Sequence, residues 1–276
     1  MTRFERFDTS DVDQVSELCR RCLPEPPARH ELAESLFSAE QAVTVRGAPG
    51  VGIVASACVG TEGYVRLLGV DPNARRRGHG AALLAAAEED LRALGASSVQ
   101  VGADPPFYLY PGVETTCTAM LCLLERQRYE RREANFNMVV DLDAIPDDPG
   151  GHVPATAAER TEIEEWMQVH WSNWAPEVLR ALDHDALVIS RDDQGIAAFC
   201  AYDVNRAGLL GPVAVRGDLW GQGAGQPVLL GALHRIRASG ARRIEVAWVG
   251  PIRPYAAVGA RISRVFFVYR RALAAT

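Results

Sequence analysis

Lysine is missing from this chain of 276 residues, and all 29 of its basic residues are arginine. No side chain can therefore act as an amine nucleophile or form a Schiff base, which closes that branch of covalent chemistry. Long apolar runs are missing too: none approaches the roughly 20 residues that cross a bilayer. Basic excess is absent, with 35 acidic against 29 basic residues and a formal charge of −6. That balance leaves no electrostatic footprint for nucleic acid and no basic patch for a membrane surface. The opening Met1-Thr2-Arg3-Phe4-Glu5-Arg6 has no apolar core of a signal peptide, and the six cysteines are scattered; a reducing cytoplasm is the expected location. Cys19 and Cys22 have the spacing of half a zinc site, but no second pair follows, and Val12 to Cys22 reads as an amphipathic helix.

What the chain does have is a repeated glycine turn. Arg75-Arg76-Arg77-Gly78-His79-Gly80 recurs 145 residues later as Trp220-Gly221-Gln222-Gly223-Ala224-Gly225. The same register places Val70 on Val215, Leu84 on Leu229, Gly95 on Gly240, Val99 on Ile244 and Val101 on Val246. A repeat of this length is domain-sized, so a duplicated domain is expected.

Each copy reads in the same order. In the first, helices at 11–21 and 30–37 precede strands at 42–46, 51–59 and 64–70, separated by the turn formers Gly47-Ala48-Pro49-Gly50 and Gly60-Thr61-Glu62-Gly63. The glycine turn leads into a helix over 81–94, with Gly95 just past its end, and a strand at 99–101. In the second, helices at 161–170 and 176–182, strands at 186–190, 195–202 and 208–215, a helix over 227–238 and a strand at 243–249 repeat the pattern. Residues 145–154 carry three prolines and two glycines and read as a linker between domains 1–144 and 155–276. The first copy holds about 14 extra residues, including Pro105-Pro106-Phe107-Tyr108-Leu109-Tyr110-Pro111-Gly112-Val113. That rigid aromatic loop would pack on the partner domain or face substrate as a lid.

A strand, a glycine turn and a helix in succession aim backbone N–H groups and the positive helix end into one small volume, which suits a phosphate. Three antiparallel strands ahead of the turn argue against a dinucleotide-binding βαβ unit, whose glycines follow its first strand.

The element order, together with Arg75-x-x-Gly78-x-Gly80, resembles the GCN5-related N-acetyltransferase (GNAT) superfamily, whose signature is Gln/Arg-x-x-Gly-x-Gly/Ala. The second copy keeps Gly223-x-Gly225 but has Trp220 at the Gln/Arg position. The resemblance covers the chain twice, in a tandem layout similar to that of mycothiol synthase. It implies an α+β fold of two tandem domains, each a mixed, mostly antiparallel sheet flanked by helices. It also implies an acyl-CoA co-substrate, usually acetyl-CoA, with no metal. The residues implied to bind it are Val70, Arg75, Arg76, Gly78, His79 and Gly80 in the first copy, and Val213, Val215, Gly221, Gln222, Gly223, Ala224 and Gly225 in the second. Tyr255, four residues before Gly259, matches the tyrosine with which the family protonates the departing thiolate, and the first copy has Leu124 there. The resemblance thus implies a catalytic second domain. Asp203, Glu245 and His170 are the candidate bases, with Trp166, His170, Trp171 and Trp174 as an aromatic cluster beside the cleft.

The implied activity is N-acetylation of a primary amine on a small molecule, by a monomer or homodimer. The acidic balance suits cationic acceptors such as amino sugars or polyamines. Two rival readings are a non-catalytic acyl-CoA sensor and a CoA thioesterase or decarboxylase on the same fold.

Overall fold

A computed structural model describes residues 3–273. Two compact units emerge, one made of the residues up to Asn135 together with those from Val265 onward, the other of Phe136–Arg264.

The first unit contains β1 (Glu5–Phe7), α1 (Val12–Cys22), α2 (Arg29–Phe37), β2 (Val43–Ala48), β3 (Gly52–Val59), β4 (Glu62–Val70), α3 (His79–Ala93), β5 (Ser98–Val101), β6 (Val113–Glu114), α4 (Thr118–Arg126) and the start of β7 (Glu130–Asp141). The second contains the rest of β7, then β8 (Val153–Pro154), α5 (Arg160–His170), α6 (Ala175–Asp183), β9 (Leu187–Asp192), β10 (Gly195–Tyr202), β11 (Leu209–Val215), α7 (Gly225–Ala238), β12 (Arg243–Val246), α8 (Ile252–Ala256) and the start of β13 (Arg261–Ala272).

In the first unit β1 to β4 form an antiparallel meander, β5 runs parallel to β4, and β13 closes the sheet beside β5, with β6 also on β13. The period of two along each strand divides the side chains between two cores. Val54 and Leu68 face Leu83, Leu84, Leu91 and Leu124 of α3 and α4, while Ile53 and Leu67 face Val15, Leu18, Leu32 and Leu36 of α1 and α2. The second unit repeats this sandwich. Val188, Cys200, Leu210 and Val246 meet Leu229 and Leu233 of α7, and Ile189, Phe199 and Ala201 meet Met167 and Val178 of α5 and α6. Its strand order is β7-β12-β11-β10-β9-β8.

The repeat is legible in the backbone. Left-handed residues recur at the 145-residue spacing as Arg76 and Gly221 (φ 62° and 76°), Gly78 and Gly223 (85° and 84°), Gly95 and Gly240 (87° and 98°), and Ala103 and Trp248 (50° and 47°). Three sequence expectations change. The strand expected at 243–249 ends at Val246, because Trp248 leaves extended geometry. The aromatic loop packs into its own unit, with Phe107 and Leu109 buried, Leu109 in the α1/α2 core and the Tyr110 hydroxyl donating to the Glu25 carbonyl at 2.8 Å. Residues 145–154 are built into the second unit. Ile145 packs on its core, the Pro146 carbonyl lies 2.9 Å from His234 Nε2, and β8 pairs with β9.

The compact units also differ from a division at 145–154. The first sheet is completed by the chain's last strand, where Tyr269 pairs with Val101 and Ala272 with Ser98, burying Tyr269 and Leu273. Burying two such side chains stabilises by roughly 1.5–3 kcal/mol each, against a typical domain stability of about 5–15 kcal/mol. A fragment comprising residues 1–144 is therefore expected to lack a cooperative thermal transition under conditions where the full chain melts cooperatively. A sharp melt of that fragment, followed by circular dichroism, would show the first unit to be complete without its C-terminal strand.

Candidate functional site

Each unit contains a fork in its sheet. In the first, β4 and β5 pair in parallel from Glu62↔Ser98 to Val65↔Val101, with Gly102 N–H donating to the Val65 carbonyl at 3.0 Å. Beyond that point Leu67 to Val70 have β3 as their only described strand partner. In the second, β11 and β12 pair at Leu209↔Glu245 and Leu210↔Val246 and then part. Unpaired strand edges offer N–H and C=O groups to an extended ligand carrying amides of its own.

The glycine turn sits at the open end of each fork. α3 starts at His79 and α7 at Gly225, and neither has a side-chain cap, so N–H groups of their first turns remain available. The two glycines of each pair serve different purposes. Gly78 and Gly223 supply the left-handed geometry, and a Cβ on either would meet nothing within 4 Å. At Gly80 a Cβ would lie 3.0 Å from Leu123 Cδ2 and 3.6 Å from Val70 Cγ2, and at Gly225 it would lie 3.2 Å from Val215 Cγ1. There the need is close approach. Each cradle suits a diphosphate met by backbone donors, with the strand-end valine beside it.

A side chain ties each turn to its strand. Arg75 Nε donates to the Val70 carbonyl at 3.0 Å and Arg75 Nη2 to the Cys22 carbonyl at 3.3 Å. In the second unit Trp220 Nε1 donates to the Val215 carbonyl at 3.4 Å, and Trp171 Nε1 reaches the same oxygen at 3.1 Å. Trp220 thus substitutes for arginine in the same bond, which no reading of the motif alone supplies. Arg76 and His79 flank the first cradle, with Arg76 exposed; in the second, Gln222 Nε2 holds the Asp218 carbonyl at 2.7 Å, while Ala224 is the N-cap of α7 and Val213 borders the α7-side core.

Tyr255 and Leu124 occupy equivalent places. Ala260 N–H donates to the Tyr255 carbonyl at 3.0 Å and Tyr129 N–H to the Leu124 carbonyl at 2.9 Å, each ahead of a left-handed residue at Gly259 or Arg128. Tyr255 lies in the α7-side core that Val213 and Val215 border. Burial, with the Cys200 sulfur adding to it, pushes its phenol well above the ordinary tyrosine value. The first unit's nearby tyrosine, Tyr129, is committed to Glu88 at 2.7 Å.

Two of the expected bases have structural work. Asp203, at φ 51°, accepts the Gly208 N–H at 2.6 Å and closes the β10–β11 turn at the start of β11. The glycine turn follows the other end of that seven-residue strand, about 20 Å away. Glu245 Oε1 accepts from Asn137 Nδ2 at 2.8 Å and Oε2 pairs with Arg264 at 3.3 Å. Buried Asn137 also receives the Trp248 N–H at 2.9 Å and so holds the left-handed residue where the fork opens. Its partners lie more than 100 positions away in sequence, and no local signal announces it. His170 is exposed at the end of α5, its ring 4.9 Å from Trp166. The expected aromatic cluster divides: Trp166 meets His170 and Phe199, whereas Trp171 stacks on Trp174 at 4.9 Å and leans toward Trp220 at 6.1 Å. Cys19 and Cys22 are buried in α1, their thiols pushed by burial to about 12 and about 11, which suits packing rather than reactivity.

Residues 15–107 match the Acetyltransferase (GNAT) family. No curated protein sequence matches the chain. Among solved structures, it is similar to a tandem GNAT protein from the clavulanic acid biosynthesis pathway, at 18% identity and a TM-score of 0.72 over 98% of each chain. A GCN5-related N-acetyltransferase from Sphaerobacter thermophilus is similar at 19% identity and 0.70, over 98% of this chain and 95% of that one. A GCN5-related glucosamine N-acetyltransferase region of a fungal multi-domain β-N-acetylglucosaminidase is similar at 18% identity and 0.79 over 98% of this chain, which spans 38% of that protein. Likeness at such identities establishes the fold. The chain thus carries a match to the GNAT acetyltransferase family over residues 15–107, and its fold over nearly the whole length is that of tandem GNAT structures.

Proposed function

We propose that the protein transfers an acyl group, acetyl in the first instance, from an acyl-CoA to a primary amine of a small molecule, and that the second unit performs the chemistry. The observation that carries this reading is the pairing of Tyr255 with Leu124: two equivalent backbone positions, of which one presents a hydroxyl. Both cradles would take a diphosphate and both forks an amide-bearing arm, so the first unit serves as a CoA-holding scaffold.

In the reaction the neutral amine nitrogen attacks the thioester carbon, the C–N bond forms and the carbonyl electron pair moves to oxygen. Collapse of the tetrahedral intermediate breaks the C–S bond, and the nitrogen loses its proton. A phenol whose pKa burial has raised further above a thiol's ordinary value of about 8.5 is a poor full donor to the thiolate. Tyr255 therefore acts by hydrogen bonding to the charge growing on sulfur, an interaction made chiefly in the transition state. With Asp203 and Glu245 engaged in structural bonds, His170 is the remaining candidate to receive the amine proton. It lies on the α5 face of the sheet and Tyr255 on the α7 face, and a ligand threaded through the fork is accessible from both.

Consumption of acetyl-CoA across a library of metabolite amines tests the reading, and CoA binding without turnover on any amine would instead favour the sensor. Tyr255→Phe should lower kcat and kcat/KM together by about 10- to 10³-fold with acetyl-CoA affinity within a few-fold. Because burial raises the phenol pKa, wild-type kcat should show no loss from its ionisation up to about pH 10. Gly78→Leu forces a side chain into left-handed geometry and into the first cradle. It should remove one calorimetric CoA site, and loss of all turnover in a folded variant would move catalysis to the first unit. Asp203→Ala should cost about 1–2 kcal/mol, lowering Tm by several degrees, with turnover per folded molecule retained; a selective loss of turnover would restore Asp203 as a base.

A further inference from the structure

The two cradles share a backbone but differ in side-chain chemistry. Around the first stand Arg75, Arg76 and Arg77, all exposed, and His79. From Trp220 to Gly225 the second has no ionisable side chain. The arginine just before it, Arg216, is buried and committed to Asp192 at 2.5 Å and Asp218 at 2.8 Å. A nucleotide bound there meets backbone N–H groups but no free cation from the turn. What the second turn presents is an indole that is 64% exposed.

We infer that the second unit holds the nucleotide end of its co-substrate by stacking the purine on Trp220, where the first unit relies on arginine charge; the inference rests on the acyl-CoA reading above. The ring is set in place before any ligand arrives. Its Nε1–H is anchored on the Val215 carbonyl, and Trp171, itself stacked on Trp174, supports it at 6.1 Å with a 33° tilt. That tilt is far from face-to-face packing, so the indole keeps a face for a flat partner. Trp220 directly precedes Gly221, so the platform adjoins the turn that would hold the diphosphate. A fixed indole loses little freedom on binding, and stacking of a base on an aromatic ring tolerates salt better than charge pairing does.

The protein carries its own reporter, because all five tryptophans, at 166, 171, 174, 220 and 248, lie in the second unit. In the full-length protein, CoA and adenosine 3′,5′-bisphosphate should quench tryptophan emission saturably, and 4′-phosphopantetheine, which lacks the purine, should not. By calorimetry Trp220→Leu should weaken the corresponding CoA site about tenfold or more, while Trp220→Phe, which keeps a ring but loses the N–H anchor, should stay within about threefold. Between 0.05 and 0.3 M NaCl the fluorescence-detected affinity should change less than that of the fluorescence-silent site. Equal losses in the Phe and Leu variants would reduce Trp220 to a tie for the turn and overturn the proposal. Wild-type affinity in a folded Leu variant, or quenching by 4′-phosphopantetheine equal to that by CoA, would overturn it as well. Absence of calorimetric CoA binding in the wild type would instead remove the acyl-CoA reading on which it stands.

Discussion

The carbonyl of the valine ending β4 or β11 is tied to a side chain of the turn that follows, by Arg75 on Val70 and by Trp220 on Val215, where Trp171 from the end of α5 joins it. One such bond is worth only about 1 kcal/mol net, yet its geometry has wide consequences. It fixes where the chain leaves the sheet and therefore where α3 or α7 begins and aims its N–H groups. The left-handed residues at Arg76 and Gly78, and at Gly221 and Gly223, then complete the turn without side chains crossing the cradle. Arginine and tryptophan can exchange here because the bond needs one N–H donor at the end of a long planar group, and both supply it.

The sheet beneath the turn carries the second constraint. Parallel pairing lasts four residue pairs in the first unit and two in the second before the strands part. At the point of parting each unit has a left-handed non-glycine residue, Ala103 or Trp248. Such geometry is uncommon and persists where surrounding bonds enforce it. In the second unit that bond comes from buried Asn137, which also occupies Glu245. A carboxylate that looks catalytic in sequence is thereby drawn into supporting the fork. In the first unit Arg66 is buried within reach of Asp104 and the Ser35 carbonyl, at 2.6 Å and 2.5 Å, and Tyr110 anchors the aromatic loop on Glu25. Those bonds tie β4 to α2 and the aromatic loop to the segment after α1.

The two copies differ in the side chains around their cradles. The first has a cationic turn and a leucine at 124; the second has a tyrosine at 255 and indole rings beside an uncharged turn.

Periodicity and turn chemistry were sufficient for the meanders, the helices after each glycine turn and the duplication itself, because these depend on local geometry: alternating burial along strands, and glycine where φ must be positive. The phosphate-binding character of the glycine turn is equally local, whereas the correspondence of Tyr255 with Leu124 came from the resemblance to the GNAT superfamily. What only the tertiary structure decided were matters of long-range pairing. Completion of the first sheet by Val265–Ala272, the commitment of Glu245 to Asn137, the burial of the aromatic loop within its own unit and the arrival of Trp171 at the Val215 carbonyl all join residues that sequence proximity does not connect. Hydrogen bonds and packing reward whichever partners the fold brings within 3 Å or so, and a one-dimensional pattern contains no record of that distance.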